Sequence, residues 1–186
     1  MEVSVSTGRY VLSPETGRLF IHTTRSGPGA MAGHDLTIEA TRWRGLAVAD
    51  LEDPAKCSVN VEVEVDSLEV REGTGGLKQL TDSDRAEIKR NICDKVLKSV
   101  RYPKIIFESR RFEGTPESFR CEGDLTITDV RRPVVLDCRV VDGRVQGTTT
   151  VKQSRWGIRP FSAFFGALRL DDDIQVRFDV GLTVRV

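Results

Sequence analysis

The chain has 186 residues and no net charge, with 28 Lys+Arg against 28 Asp+Glu. That length suits a single domain, spanning 1–186, with a sizeable core, and the charge balance argues against a nucleic-acid binder, which needs a basic face to displace counterions, although charge could still be segregated locally. No apolar run approaches the roughly 20 residues of a membrane span, and the opening MEVSVSTGRYVLSPETG lacks the basic-then-apolar plan of a secretory leader, so the cytoplasm is the expected location.

The elements then follow in chain order. Gly8 to Leu12 reads as a short strand ended by Ser13-Pro14-Glu15-Thr16-Gly17. Arg18 to Arg25 is the next, and both its faces are bulky. Leu19 and Ile21 stand against Phe20 and His22, which points to a second buried surface against a helix or a partner copy, as in a homodimer. His34 to Trp43 alternates, with Leu36, Ile38 and Ala40 on one side. Cys57 to Val65 is the clearest strand: Val59, Val61, Val63 and Val65 interleave with Ser58, Asn60, Glu62 and Glu64. One face must be buried and the other wet.

The period then changes. Gly73-Thr74-Gly75-Gly76 marks a loop, Thr81, Asp82 and Ser83 are candidate helix caps, and Ile88, Ile92 and Val96 recur every fourth residue. This predicts an amphipathic helix of about four turns with one stripe on an apolar surface. Alternation returns at Ile105 and Phe107. Phe119 to Val140 predicts an antiparallel hairpin, with Phe119, Cys121, Leu125, Ile127, Val134, Leu136, Cys138 and Val140 on its inner face. Its turn is placed at Thr128–Pro133, with the proline ending the pairing. Val145 to Val151 is a further strand, and Ile174 to Val186 closes the chain with an apolar residue at every second position.

About eight long strands and one helix predict an all-β fold, a closed antiparallel barrel of lipocalin type with the helix covering it. Its inner face is dominated by small residues, which points to an open apolar lumen.

Several residue groups invite chemical readings. The cysteines Cys57, Cys93, Cys121 and Cys138 have no C-x-x-C spacing, so small buried thiols are the reading, with a Cys121–Cys138 disulfide left open. His22 and His34 have no third ligand at metal spacing, and Asp171-Asp172-Asp173 lacks the spaced oxygens of a calcium loop. Gly73–Gly76 is not followed by the Lys-Ser/Thr of a phosphate cradle. No metal and no catalytic residue is assigned. Trp156, Ile158, Phe161, Phe164, Phe165 and Leu168 crowd one stretch, either gating a barrel mouth or plugging a barrel end.

Tyr102-Pro103-Lys104-Ile105-Ile106-Phe107-Glu108-Ser109, Gly123-Asp124-Leu125-Thr126-Ile127, Arg132-Pro133-Val134 and Ser154-Arg155-Trp156-Gly157-Ile158 together resemble the YceI-like family of bacterial polyisoprenoid-binding, lipocalin-like proteins. The resemblance runs from about Gly8 to the C-terminus. It implies a barrel holding an isoprenoid chain, of polyprenyl or quinone type. Where relatives have an "RD-x-H-L" pattern before the helix, this chain has Asp84-Arg85-Ala86-Glu87-Ile88, and Gly29–Asp35 has the look of a subgroup feature.

The expectation is therefore a lipid carrier or sequestering protein, not an enzyme, with the bound lipid as its only ligand and no cofactor. Leu36, Ile38, Val59, Val61, Val63, Phe107, Leu125, Ile127, Val176 and Phe178 are predicted to line the lumen. Arg155, Trp156, Phe161, Phe164 and Phe165 are predicted at its mouth, Arg155 either anchoring a polar head group or closing a salt bridge. The alternatives are an isomerase or cyclase using His22, His34 or Asp35, and a ligand-free stress or interaction protein.

Overall fold

The computed structural model describes residues 5–182; the predicted positions Val184 and Val186 of the last strand lie outside them. Fourteen strands form among the described residues, where about eight are predicted. They are β1 (Gly8–Leu12), β2 (Gly17–Thr23), β3 (Arg25–Ser26), β4 (Asp35–Ala40), β5 (Trp43–Ala49), β6 (Ser58–Glu64), β7 (Leu68–Thr74), β8 (Lys104–Gly114), β9 (Ser118–Ile127), β10 (Val130–Val141), β11 (Arg144–Lys152), β12 (Ser162–Ala163), β13 (Leu168–Leu170) and β14 (Asp173–Gly181). Eleven build one curled antiparallel sheet in the order β1-β5-β6-β8-β9-β10-β11-β14-β2-β4-β7, and β12-β13-β3 make a small second sheet.

The β9–β10 hairpin is present, with a tighter turn than predicted. Thr128 and Asp129 alone make it, both at positive φ (48° and 63°), the mirror-image geometry that matches strand twist. Pro133 does not end the pairing but sits inside β10 opposite Asp124. Residues flanking a two-residue turn form a hydrogen-bonded pair, and such pairs alternate, so the Pro133 nitrogen faces β11 rather than β9. Ladder pairing of β10 with β11 starts only at Asp137↔Thr148. The proline therefore costs no bond to β9 and leaves a gap on its other side.

Helix α1 (Asp82–Arg90) starts with a reciprocal cap: the Thr81 hydroxyl accepts from the Asp84 N–H at 3.1 Å while the Asp84 carboxylate accepts from the Thr81 N–H at 2.8 Å. These bonds hold the Asp84 carboxyl below its ordinary pKa. A π-helical turn, Asn91–Val96, continues it. Ile88, Ile92 and Leu97 face a core of Tyr10, Leu12, Leu36, Ile38, Trp43 and Val70. A second core, containing Phe107, Cys121, Ile127, Val134, Val151, Trp156 and Ile158, lies across the sheet. Val59, Val61, Ile105 and Leu97 touch both.

Candidate functional site

Between the two cores the inner face of the sheet encloses a cavity of about 360 Å³. Alternation along each strand puts its apolar residues there: Val59, Val61 and Val63 from β6, Leu125 and Ile127 from β9, Leu136 and Cys138 from β10, Val151 from β11, and Val176 from β14. Two glycines keep the space open. A methyl group at Gly123 would overlap the Phe107 ring, and one at Gly147, directly opposite Phe178, would overlap that ring. Each phenyl group therefore lies flat on the wall over a neighbouring glycine instead of crossing the lumen.

One end of the cavity is closed. Trp156 is 1% exposed and donates its indole N–H to the Leu125 carbonyl at 2.8 Å, with Ile158 buried beside it. The Gln153–Trp156 turn that carries it is pinned by Asp172, whose carboxylate accepts from the Ser154 N–H at 2.7 Å and hydroxyl at 2.5 Å. Asp171 likewise accepts from the Thr24 hydroxyl at 2.5 Å. The hydroxyl bonds hold both carboxyls below the usual range. The acidic run is thus a set of anchors, and no metal-holding cluster occurs among the described residues.

The other end opens between the Ala49–Pro54 and Phe112–Phe119 segments. Here Phe112 and Phe119 pair with ring centroids 5.9 Å apart, and Asp50, Ser58, Glu113 and Thr115 are the polar lining groups. Three cysteines also line the cavity: Cys57, Cys121 and Cys138. All four cysteines are free thiols. Burial, then the nearby Cys57 and Glu122, pushes Cys121 up to about 12; burial, then Cys121 and Asp137, does the same to Cys138. These thiols are protonated and behave as small apolar groups.

Eight of the ten predicted lumen residues line the cavity; Leu36 and Ile38 do not. Both are buried on β4 in the core beneath the helix, where side chains fill the space. Of the predicted mouth residues, Arg155, Trp156, Phe161 and Phe165 are not among those that line the cavity. Trp156 plugs the closed end, Phe161 and Phe165 are exposed on the outside, and Arg155 lies over the outer face of Trp156, 5.4 Å from its ring. The Phe164 side chain lies outside the described residues. Aromatic clustering in the sequence marks this stretch but cannot tell a plug from a gate. The actual rim pair, Phe112 and Phe119, flanks the Gly114–Ser118 turn, and that spacing was its only signal.

The ionisable groups of the enzymatic alternative lie elsewhere. His22 shares a bond of 3.3 Å with the Thr37 hydroxyl, its pKa lowered by burial and by Arg177. His34 contacts the Lys78 carbonyl at 2.5 Å, and Asp35 is paired with Arg25 at 3.0 Å. None of the three lines the cavity.

The YceI-like domain pattern matches residues 10–182. The chain belongs to the YceI-like family. Its fold is shared with BcnA of Burkholderia cenocepacia, at 13% identity and a TM-score of 0.63 over 88% of this chain and 94% of that one. A polyisoprenoid-binding domain from Saccharophagus degradans, implicated in plant cell wall breakdown, aligns over 94% and 97% at 8% identity and 0.57. The Campylobacter jejuni YceI protein aligns over 77% and 81% at 17% identity and 0.55. No curated protein sequence matches the chain.

The motifs that carry the family resemblance are wall-building parts. Phe107 lies over Gly123, the Ser109 hydroxyl accepts the Val59 N–H at 2.8 Å where β8 bulges, and Leu125 receives the Trp156 indole. No helix among the described residues is long and apolar enough to cross a membrane.

Proposed function

We propose that this YceI-like protein binds an isoprenoid-type chain, polyprenyl or quinone, in the cavity, as a carrier or sequestering protein rather than an enzyme. The observation that carries the reading is an enclosed space of about 360 Å³ with apolar walls and one open end, within the size range of small-molecule sites. The polyisoprenoid-binding domain of the same fold supports it. Each buried methylene contributes roughly 0.8 kcal/mol, so a chain of about ten carbons offsets the several kcal/mol that association costs.

The sheet reads best as closing on itself, because β1→β2, β4→β5 and β6→β7 each connect its two ends. Thr41 N–H to the Ser67 carbonyl continues the β4–β7 ladder and Glu64 N–H to the Arg42 carbonyl continues the β5–β6 ladder, so both ladders run up to the Thr41–Arg42 corner that links the two ends. Four free thiols suit a reducing compartment, and the cytoplasm is the proposed location.

Native mass spectrometry of the purified protein, followed by solvent extraction and lipid identification, tests the proposal. One prenyl-chain lipid per protein is expected. A bare mass that persists when prenyl alcohols and isoprenoid quinones are offered would overturn it.

A further inference from the structure

The cavity has a thin place in its wall. From Val130 to Leu136, β10 has no ladder partner on the β11 side, and β11 from Thr149 onward pairs only with β14. Continuing the register would set Pro133 opposite Lys152, at a position that needs an N–H donor toward β11, and proline has none. The two strands part there. The resulting cleft on the outer surface is lined by Pro133, Val135, Thr148, Thr150, Arg155 and Gln175, with Val134 and Thr149 as its floor. Val134 and Thr149 also line the cavity, so one layer of side chains separates the lumen from the surface at this seam.

The chemistry of the cleft is that of an anion site. Arg155 is exposed and makes no ion pair among the described residues; its ring contact with Trp156, and the Arg132 guanidinium bonded at 3.2 Å to the Arg155 carbonyl, hold it beside the seam. Asp137, the acidic group of the lining, is engaged by Arg120 at 3.2 Å. Thr148 and Thr150 supply hydroxyls, both bonded to Gln175. The open end of the cavity presents the opposite character, with the carboxylates of Asp50 and Glu113 in its lining.

We propose that the seam between β10 and β11 is a side port, through which a phosphate-type end group on the bound apolar chain reaches Arg155. This rests on the cavity reading above and adds the polarity of the ligand and the place of its head. A guanidinium bonds an oxyanion more strongly than a neutral hydroxyl, about tenfold in affinity for one charge-assisted bond.

The test compares farnesyl phosphate, farnesol and inorganic phosphate by calorimetry on the wild-type protein and on the Arg155→Gln and Arg155→Lys variants. The readout is the ratio of affinities for the phosphate and the alcohol. A ratio of about ten is expected in the wild type, falling to about one in Arg155→Gln and largely restored in Arg155→Lys. A wild-type ratio near one, or a ratio that survives Arg155→Gln, overturns the proposal. Displacement of farnesyl phosphate by inorganic phosphate at equal concentration would make the seam a free-anion site and overturn the lipid assignment. Failure of both prenyl ligands to bind the wild type overturns the cavity reading itself, and the port with it.

Discussion

At the scale of single residues, Gly147 does more than its size implies. Its φ is not in the left-handed region, so alanine is compatible with the backbone there, yet the added methyl would overlap the Phe178 ring. The ring has one direction to go, into the lumen. Gly147→Ala is expected to keep the fold, by circular dichroism, and to lose at least tenfold in prenyl-ligand affinity by fluorescence titration; undiminished binding would show that the ring does not guard the space. The thiols give a second check. Cys57 lies at the open end and is partly exposed, whereas Cys121 and Cys138 stay protonated up to about 12. A maleimide time course at pH 8, followed by intact mass, is expected to show one fast label, slowed by bound ligand, and four labels in denaturant. The same thiols set a pH limit. A pKa raised on folding from 9.0 makes their contribution to stability complete below pH 9 and lost as pH climbs toward about 12. Unfolding midpoints are therefore expected to fall across that alkaline window.

At the scale of elements, the tight turn of the β9–β10 hairpin carries a cost, since Thr128 is β-branched and held at a φ of 48°. Replacing it by asparagine, which tolerates that region, is expected to stabilise the protein by about 1 kcal/mol, or roughly 2–4 °C in thermal midpoint. Calorimetry reads this directly, and a lowered midpoint would mean that the hydroxyl bond to the Ile127 carbonyl at 2.8 Å outweighs the relief. The hairpin itself is legible in the sequence because its alternation is strict over both arms. Two other strands are not. In β5 the inner positions are Gly45, Ala47 and Ala49 while Leu46 and Val48 are their neighbours, so the apolar contrast between faces disappears. In β7 alternation lasts only through Leu68 and Val70 before Arg71 and Glu72. The β6 and β14 linings are legible, because valine against charge leaves one choice of face. The position of the mouth is not, because it depends on which ends of the strands the Trp156 turn covers, a tertiary fact with no local pattern.

At the scale of the molecule, the cavity sits between two cores that share only a few side chains. Filling it adds contacts to both, so ligand and fold are thermodynamically linked. At one hundred times its dissociation constant, a ligand that binds only the folded state stabilises by about 2.7 kcal/mol, which for a chain of this size is roughly 5–10 °C. Differential scanning fluorimetry with and without a prenyl alcohol is expected to show that rise. An unmoved midpoint at a concentration known to saturate would argue that the lipid sits on the outside.

The place of β14 in the sheet has a consequence for how the protein is made. It lies between β11 and β2, and it is the strand through which β2, β4 and β7 join the rest of the ladder. The ribosome delivers this strand after all the others described. At about 5–20 residues per second, the earlier strands wait for many seconds with their apolar inner faces uncovered. The full cavity wall therefore exists only once β14 has paired, and binding in the cavity is expected to follow that step. Until then the uncovered inner faces of the earlier strands are the kind of surface that a holding chaperone covers.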